Sequence, residues 1–382
     1  MHFFSKKNYK MINFFKKIFL LFSNKYIFCV PDKKYFCIYD DNNIFLHNYF
    51  SKEKTEFIRH GKINIFIIFV IIFKDGIYIR DFMLNYLTHY IKFVQPEIFI
   101  SNIDNNPLFW SIKKNIPNIK IIIIQNGLRL KKYDIFEKIK NKKEYKCDLF
   151  FTFNKHIASE YANYINSKFI VTGSMENNFR KIKKFKDSKT ILFLSEYIGD
   201  QSAIFFISNK ISFNSWYKPE FNLLIFLKNF CLKNNYKLKV SPRTNMLRQE
   251  YLFYKNILGE DNWEFLDKKV SSYDEIDRAK IVISISSTIG YEALARGKKV
   301  AFFSCRKMRE ESGNFGWPAI KRNKGLFWTN NLNIHEFKKI LVKLLLMNNV
   351  IWNVKSKKII NNLIVYDKNN SIFKKEISNI IH

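Results

Sequence analysis

At 382 residues and 47% hydrophobic content, the chain is long enough for two domains, each with a substantial core. Its net charge of +32 suits phosphorylated substrates, anionic lipid or nucleic acid; Lys, Asn, Ile, Phe and Tyr are abundant along the whole chain, so basicity alone names no partner. Five scattered cysteines (Cys29, Cys37, Cys147, Cys231, Cys305) without a C-x-x-C pair indicate neither a disulfide framework nor a zinc site, and point to a reducing compartment.

In chain order, residues 10–22 are apolar and basic, expected as a first helix or, alternatively, an interfacial helix resting on anionic lipid. No small-residue cleavage site follows them, so no signal peptide is expected. Residues 26–30 and 35–39 read as short strands on either side of Pro31-Asp32. The run 63–73 is the most apolar, shorter than the ~20 residues of a spanning helix, and is expected to be a buried element. Residues 78–93 show helical spacing. A strand–helix alternation then sets in: strands at 97–101, 119–124, 148–153 and 169–172, helices at 107–114 and 156–165. Residues 177–189 break the rhythm as a basic, polar linker. A second series follows, with strands at 190–195, 237–240 and 263–266 and helices near 222–232 and 245–257. A tail from His335 carries two helices. The alternation predicts parallel sheets covered by helices on both faces.

The most informative stretch is 279–303. Ile281, Val282, Ile283 and Ile285 form a buried strand; Ser286, Ser287 and Thr288 offer hydroxyls at its end; Glu292 to Ala295 favour helix, and Gly297 fits a helix C-terminus. Val300 starts the next strand. A strand–turn–helix of this kind presents backbone N–H groups to phosphate beyond the carboxyl end of a strand. Helix capping needs one hydroxyl, and three are present. A capping box would need Glu where Ile289, Gly290 or Tyr291 stands, so Glu292 has no partner of that kind. Its alternatives are a favourable charge near the helix start or a ligand of a ribose.

Other strand ends supply further candidates. Asp104 is either the cap of the helix after it or a base for an acceptor hydroxyl, with Asn105 beside it. Gln125, Asn126 and Gly127 are either a turn tolerating positive φ or a cleft loop. Arg129 is a solvated charge or an anion clamp. Arg243, after Ser241-Pro242, is placed to brace a diphosphate. The histidines show no metal spacing, and neither G-x-G-x-x-G nor a P-loop is present, which disfavours metal, nicotinamide and P-loop chemistry.

The run from Ser286 to Gly297 resembles the donor-site signature of GT-B glycosyltransferases that build bacterial surface carbohydrates. More narrowly, the chain is similar to a family of surface carbohydrate biosynthesis transferases, through Ile103 to Asn106, through Ile124, Gln125, Asn126, Gly127 and Arg129, through Gly173, Ser174, Asn177 and Asn178, and through Phe315 to Pro318. The resemblance implies a GT-B fold, two Rossmann-like doubly wound domains facing a central cleft. It implies inverting or retaining transfer from a nucleotide sugar, as in enzymes using CMP-linked acidic sugars; where those relatives carry His-Pro, this chain has Ser241-Pro242, which removes a histidine from the donor side.

These readings converge on an acceptor-side domain (1–178), a linker (179–189), a donor domain (190–350) and a helical tail (351–382). The donor side takes Arg243, Ser286, Ser287, Thr288, Gly290 and Glu292. Asp104 is the expected base, and Asn105, Gln125, Asn126, Gly127 and Arg129 the acceptor or cleft loop. The expected partners are a nucleotide-sugar donor, a glycan or lipid-linked acceptor and an anionic membrane surface, with no nucleic acid, no metal and no cofactor beyond the substrate. The expected location is cytoplasmic, peripheral on the inner face of the cytoplasmic membrane. Rival readings are a sugar-nucleotide 2-epimerase or polyol-phosphate transferase of the same fold, an inactive sugar-nucleotide-binding scaffold, and a basic nucleic-acid-binding protein.

Overall fold

The structure is a computed structural model that describes residues 25–40, 44–59, 61–76, 81–131, 134–139, 145–185, 188–199, 212–243, 247–267, 271–304 and 314–381. The basic segment 10–22, Cys305, and His2, His60 and His382 lie outside the described residues.

Among the described residues eight strands precede residue 180: β1 (Lys25–Ile27), β2 (Phe36–Asp40), β3 (Thr55–Arg59), β4 (Lys62–Asn64), β5 (Ile98–Ser101), β6 (Lys120–Ile124), β7 (Tyr145–Thr152) and β8 (Ile165–Val171). Six follow: β9 (Thr190–Leu194), β10 (Lys237–Ser241), β11 (Glu264–Phe265), β12 (Ile281–Ser284), β13 (Val300–Phe303) and β14 (Trp328–Thr329). The first six-stranded sheet runs β3-β2-β5-β6-β7-β8, and β1 pairs with β4 apart from it. The second runs β11-β10-β9-β12-β13-β14, every adjacent pair parallel. Parallel strands covered on both faces need apolar runs rather than alternation, and β12, β13 and residues 121–124 are buried at every position.

The strand orders locate the functional ends. From β9 the second sheet grows through β10 and β11 in one direction and through β12, β13 and β14 in the other. The order therefore reverses between β9 and β12. In the first sheet the corresponding reversal lies between β2 and β5. Connections leave in opposite directions at such a point, which opens a crevice beyond the carboxyl ends of the strands.

By compactness the chain forms two units, one of residues 1–125, 143–150 and 165–168, the other of 126–142, 151–164 and 169–382. The second is built around one core in which Phe193, Ile283 and Phe302 are inaccessible to solvent. Several elements differ from the sequence expectation. The run 63–73 becomes the end of β4 and the helix Ile65–Asp75, which buries Ile67 and Ile71 but leaves Phe69 and Phe73 50% and 86% exposed; high apolarity did not mean burial all round. Asn177 and Asn178 belong to the helix Met175–Phe179 and are buried, so irregular chain starts after it. The helix expected near 222–232 spans Phe213–Lys233, through Pro219. The tail holds three helices rather than two: Ile334–Leu346, Asn349–Leu363 and Ser371–Ile381. It returns to the end of β7, where Val365 donates its N–H to the Phe153 carbonyl and Phe373 packs edge-on against Phe151.

Candidate functional site

The turn after β12 is where the second sheet reverses, and its residues are held by partners from several parts of the unit. Ser286 donates through its N–H to Glu196 Oε1 (2.5 Å) and through its hydroxyl to Glu196 Oε2 (2.8 Å). Glu196 follows β9, so the two strands flanking the reversal are joined at their carboxyl ends. Its backbone carbonyl accepts from the Arg243 guanidinium (3.3 Å), which brings the exposed Arg243 beside the same turn. The Ser287 N–H is taken by Ser284 Oγ (3.2 Å).

The helix that follows, Thr288–Ala295, has Ser287 as its N-cap, yet the Ser287 side chain makes no capping bond and is half-buried. The rest of this helix is firmly seated. A Cβ at Gly290 would stand 2.6 Å from Ser284 Oγ and 3.2 Å from the Phe302 ring, so only glycine lets the helix lie this close to its strand. The Tyr291 hydroxyl accepts from the Gly316 N–H (2.9 Å), and the Tyr291 ring stacks on Phe315, which makes Phe315 and Gly316 of the Phe315–Pro318 motif a support of this helix. Arg296, at the C-cap, forms a fully buried ion pair with Asp277 (2.5 Å) and donates to the carbonyls of Arg180 and Lys181.

Glu292 has hydroxyl partners, but none from its own helix start. Ser174 donates to Oε1 in a short hydrogen bond, and Tyr273 donates to Oε2 (2.8 Å). Burial pushes its carboxyl up to about 7 against the two hydrogen bonds, which pull it down. A carboxylate has about four acceptor positions, and Ser174 and Tyr273 occupy two of those of Glu292. Ser174 also caps the helix Met175–Phe179, and Asn178 holds the tail through its contact with Asn370 (3.0 Å). The motif of Gly173, Ser174, Asn177 and Asn178 thereby acts as a brace.

The loop after Gln125 meets this turn. Leu128 donates its N–H to Thr288 Oγ1 (3.1 Å), and a Cβ at Gly127 would lie 3.4 Å from the same oxygen. Gly127 is not among the positive-φ glycines, so the loop does not use it for a positive φ, and a side chain there would meet only ordinary contacts. Arg129 is buried, which removes the solvated-charge reading: it donates to Asn126 Oδ1 (2.6 Å), the Leu128 carbonyl (3.0 Å) and the Tyr161 hydroxyl (3.2 Å). The structure thus brings Asn126, Gly127, Arg129, Arg243, Ser286, Ser287, Thr288, Gly290 and Glu292 into one unit. Asp104, Asn105 and Gln125 belong to the other.

In that other unit Asp104 follows β5, beside the reversal of the first sheet, and is completely buried. It does not cap the next helix: Asn106 does, accepting from the Leu108 N–H (3.0 Å). Gln125, at the end of β6, is also buried. Among the described residues no group of three His, Cys, Asp or Glu is arranged to hold a metal ion. Sequence reasoning missed Glu196; the signal was a carboxylate two residues beyond a buried strand, the same pattern that singled out Ser286.

Two parallel sheets, each reversing direction beside polar strand ends, define a GT-B-type fold. The chain belongs to the family described as "putative O-antigen biosynthesis protein", which matches residues 122–380. No curated protein matches it. Among solved structures it is similar to that of S. aureus MnaA with UDP, at 15% identity and a TM-score of 0.53, covering 91% of this chain and 96% of that one. A UDP-N-acetylglucosamine 2-epimerase structure is similar at 12% identity and a TM-score of 0.50, covering 92% and 96%. TarM is similar at 17% identity and a TM-score of 0.45; the match covers 78% of this chain and 58% of TarM.

Proposed function

We propose that this O-antigen biosynthesis protein is a metal-independent glycosyltransferase that takes its sugar from a nucleotide-sugar donor and passes it to a glycan or lipid-linked acceptor. The observation that carries the reading is the reversal of the second sheet between β9 and β12, with Glu196, Ser286 and Arg243 gathered at its rim. The donor phosphate sits at the start of the helix Thr288–Ala295, where the helix dipole and the uncommitted Ser287 hydroxyl favour an anion. Arg243 braces the phosphate, and Glu196 fixes Ser286. Thr288 ties the 126–129 loop to the phosphate turn, and Glu292 orients the ribose side of the pocket. The acceptor lies by Asp104, Asn105 and Gln125. Asp104 takes the proton of the acceptor hydroxyl as its oxygen bonds to the anomeric carbon. The bond from that carbon to the phosphate oxygen breaks, and the nucleotide leaves with the electron pair. The positive helix end stabilises the leaving phosphate.

A second reading, a 2-epimerase, is supported by the near full-length likeness to a UDP-N-acetylglucosamine 2-epimerase. Turnover separates the two. A transferase releases nucleotide only when a lipid-linked acceptor is added, whereas an epimerase converts UDP-N-acetylglucosamine to its 2-epimer without one. Epimer formed in the absence of acceptor would overturn the transferase reading.

A further inference from the structure

A second surface of the same unit combines exposed aliphatic side chains with lysines. The helices Ile334–Leu346 and Asn349–Leu363 turn one face inward, through Phe337, Leu341 and Leu344 on the first and Trp352 and Ile360 on the second. The outer side is not the polar face such helices normally present. Leu346, Val350 and Val354 stand 82%, 73% and 76% exposed, and Leu346 lines an open groove of ≈ 760 Å³ together with Ile351, Met347, Lys338, Lys339 and Lys343. Lys355, Lys357 and Lys358 on the second helix are exposed as well, and residues 337–366 contain no Asp or Glu.

The exposure is not fraying. Lys299 donates to the Met347 carbonyl at the junction, Asn348 caps the second helix through the Ile351 N–H (2.8 Å), and buried Trp352 donates to the Gly297 carbonyl (3.1 Å). Exposed aliphatic side chains interleaved with exposed lysines, with no carboxylate between them, are complementary to a bilayer surface: aliphatic tips enter the acyl boundary while ammonium groups reach anionic headgroups. A nucleic-acid site would use aromatic or Arg side chains, and these two helices contain no Arg, and their Phe337 and Trp352 rings are buried.

We propose that this face docks the protein on membranes rich in anionic lipid. The docking does not depend on the donor reading and is measured without nucleotide. The test is flotation of the full chain with vesicles of phosphatidylcholine alone and with about 30 mol% phosphatidylglycerol. Wild-type protein is expected to float with the anionic vesicles and not with the neutral ones. Each lysine near an anionic surface changes partitioning roughly fivefold, so the triple variant Lys338→Gln, Lys339→Gln, Lys343→Gln should bind at least ~10-fold more weakly. The triple variant Leu346→Ser, Val350→Ser, Val354→Ser should also lose roughly tenfold, with thermal stability unchanged because the three side chains are exposed. Should a triple variant fail to fold, Lys343→Gln and Val350→Ser singly carry the same comparison. Binding that ignores lipid charge, or that is equal in both variants and wild type, overturns the proposal. So does a DNA duplex or an acidic polypeptide held more tightly than the anionic vesicle and released by the same lysine changes.

Discussion

The two sheet reversals present the same local design with opposite use of the helix cap. After β5, Asn106 spends its side chain on the Leu108 N–H, and the helix Pro107–Asn115 starts with proline, whose missing N–H costs nothing there. That leaves the buried Asp104 without a capping duty. After β12, the cap residue Ser287 makes no capping bond, and the helix Thr288–Ala295 is held instead along its length and at its far end, by Gly290, Tyr291, Glu292 and Arg296. The first helix start is closed by its own cap side chain. The second is fixed through residues deeper in the helix, and its cap hydroxyl makes no capping bond.

The strongest way to break this comparison is to release the far end of the helix Thr288–Ala295. Asp277→Ala leaves the Arg296 guanidinium buried without its carboxylate, and should cost about 3–5 kcal/mol in denaturant unfolding; a loss below about 1 kcal/mol would mean that the helix is not anchored there. Next is the pH dependence of Glu292. Its folded carboxyl titrates at about 7, above the ordinary 4.5, so the folded protein holds an extra proton between these values. That contribution is complete below 4.5 and is lost as pH rises through about 7. Linkage puts it at up to about 3 kcal/mol, and the Glu292→Gln variant should lack this segment of the stability–pH curve. The smallest effect sharpens the contrast most: Asn106→Ala should cost about 1 kcal/mol as a lost cap, while Ser287→Ala should stay within about 0.5 kcal/mol. Equal losses would erase the distinction between the two turns.

The parallel α/β architecture and the 281–303 unit were legible because fully buried strands leave unbroken apolar runs, and Gly297 takes the positive φ (80°) that the residue after a C-cap often needs. The turn hydroxyls were legible as a surplus. Their partners were not: Ser174 lies 118 residues before Glu292, and Leu128 lies 160 before Thr288, and such contacts leave no spacing signal. Glu196 was legible as a carboxylate just beyond a buried strand, while its pairing with Ser286, 90 residues on, was not. The helix Ile65–Asp75 misled because an apolar run does not say which face is covered. The family assignment agrees with the resemblance carried by the motifs between Ile103 and Pro318, while the transfer chemistry rests on the sites.

The central claim is an anion of a nucleotide sugar at the Ser286–Thr288 turn, and thermal shift against CMP, UDP, GDP and their sugars tests it most directly. The account predicts that at least one nucleotide raises the melting temperature of the wild-type protein, and that Ser287→Ala and Arg243→Ala each reduce the shift while leaving the unliganded melting temperature in place. Stabilisation by none of them, or an equal shift in both variants, would contradict it.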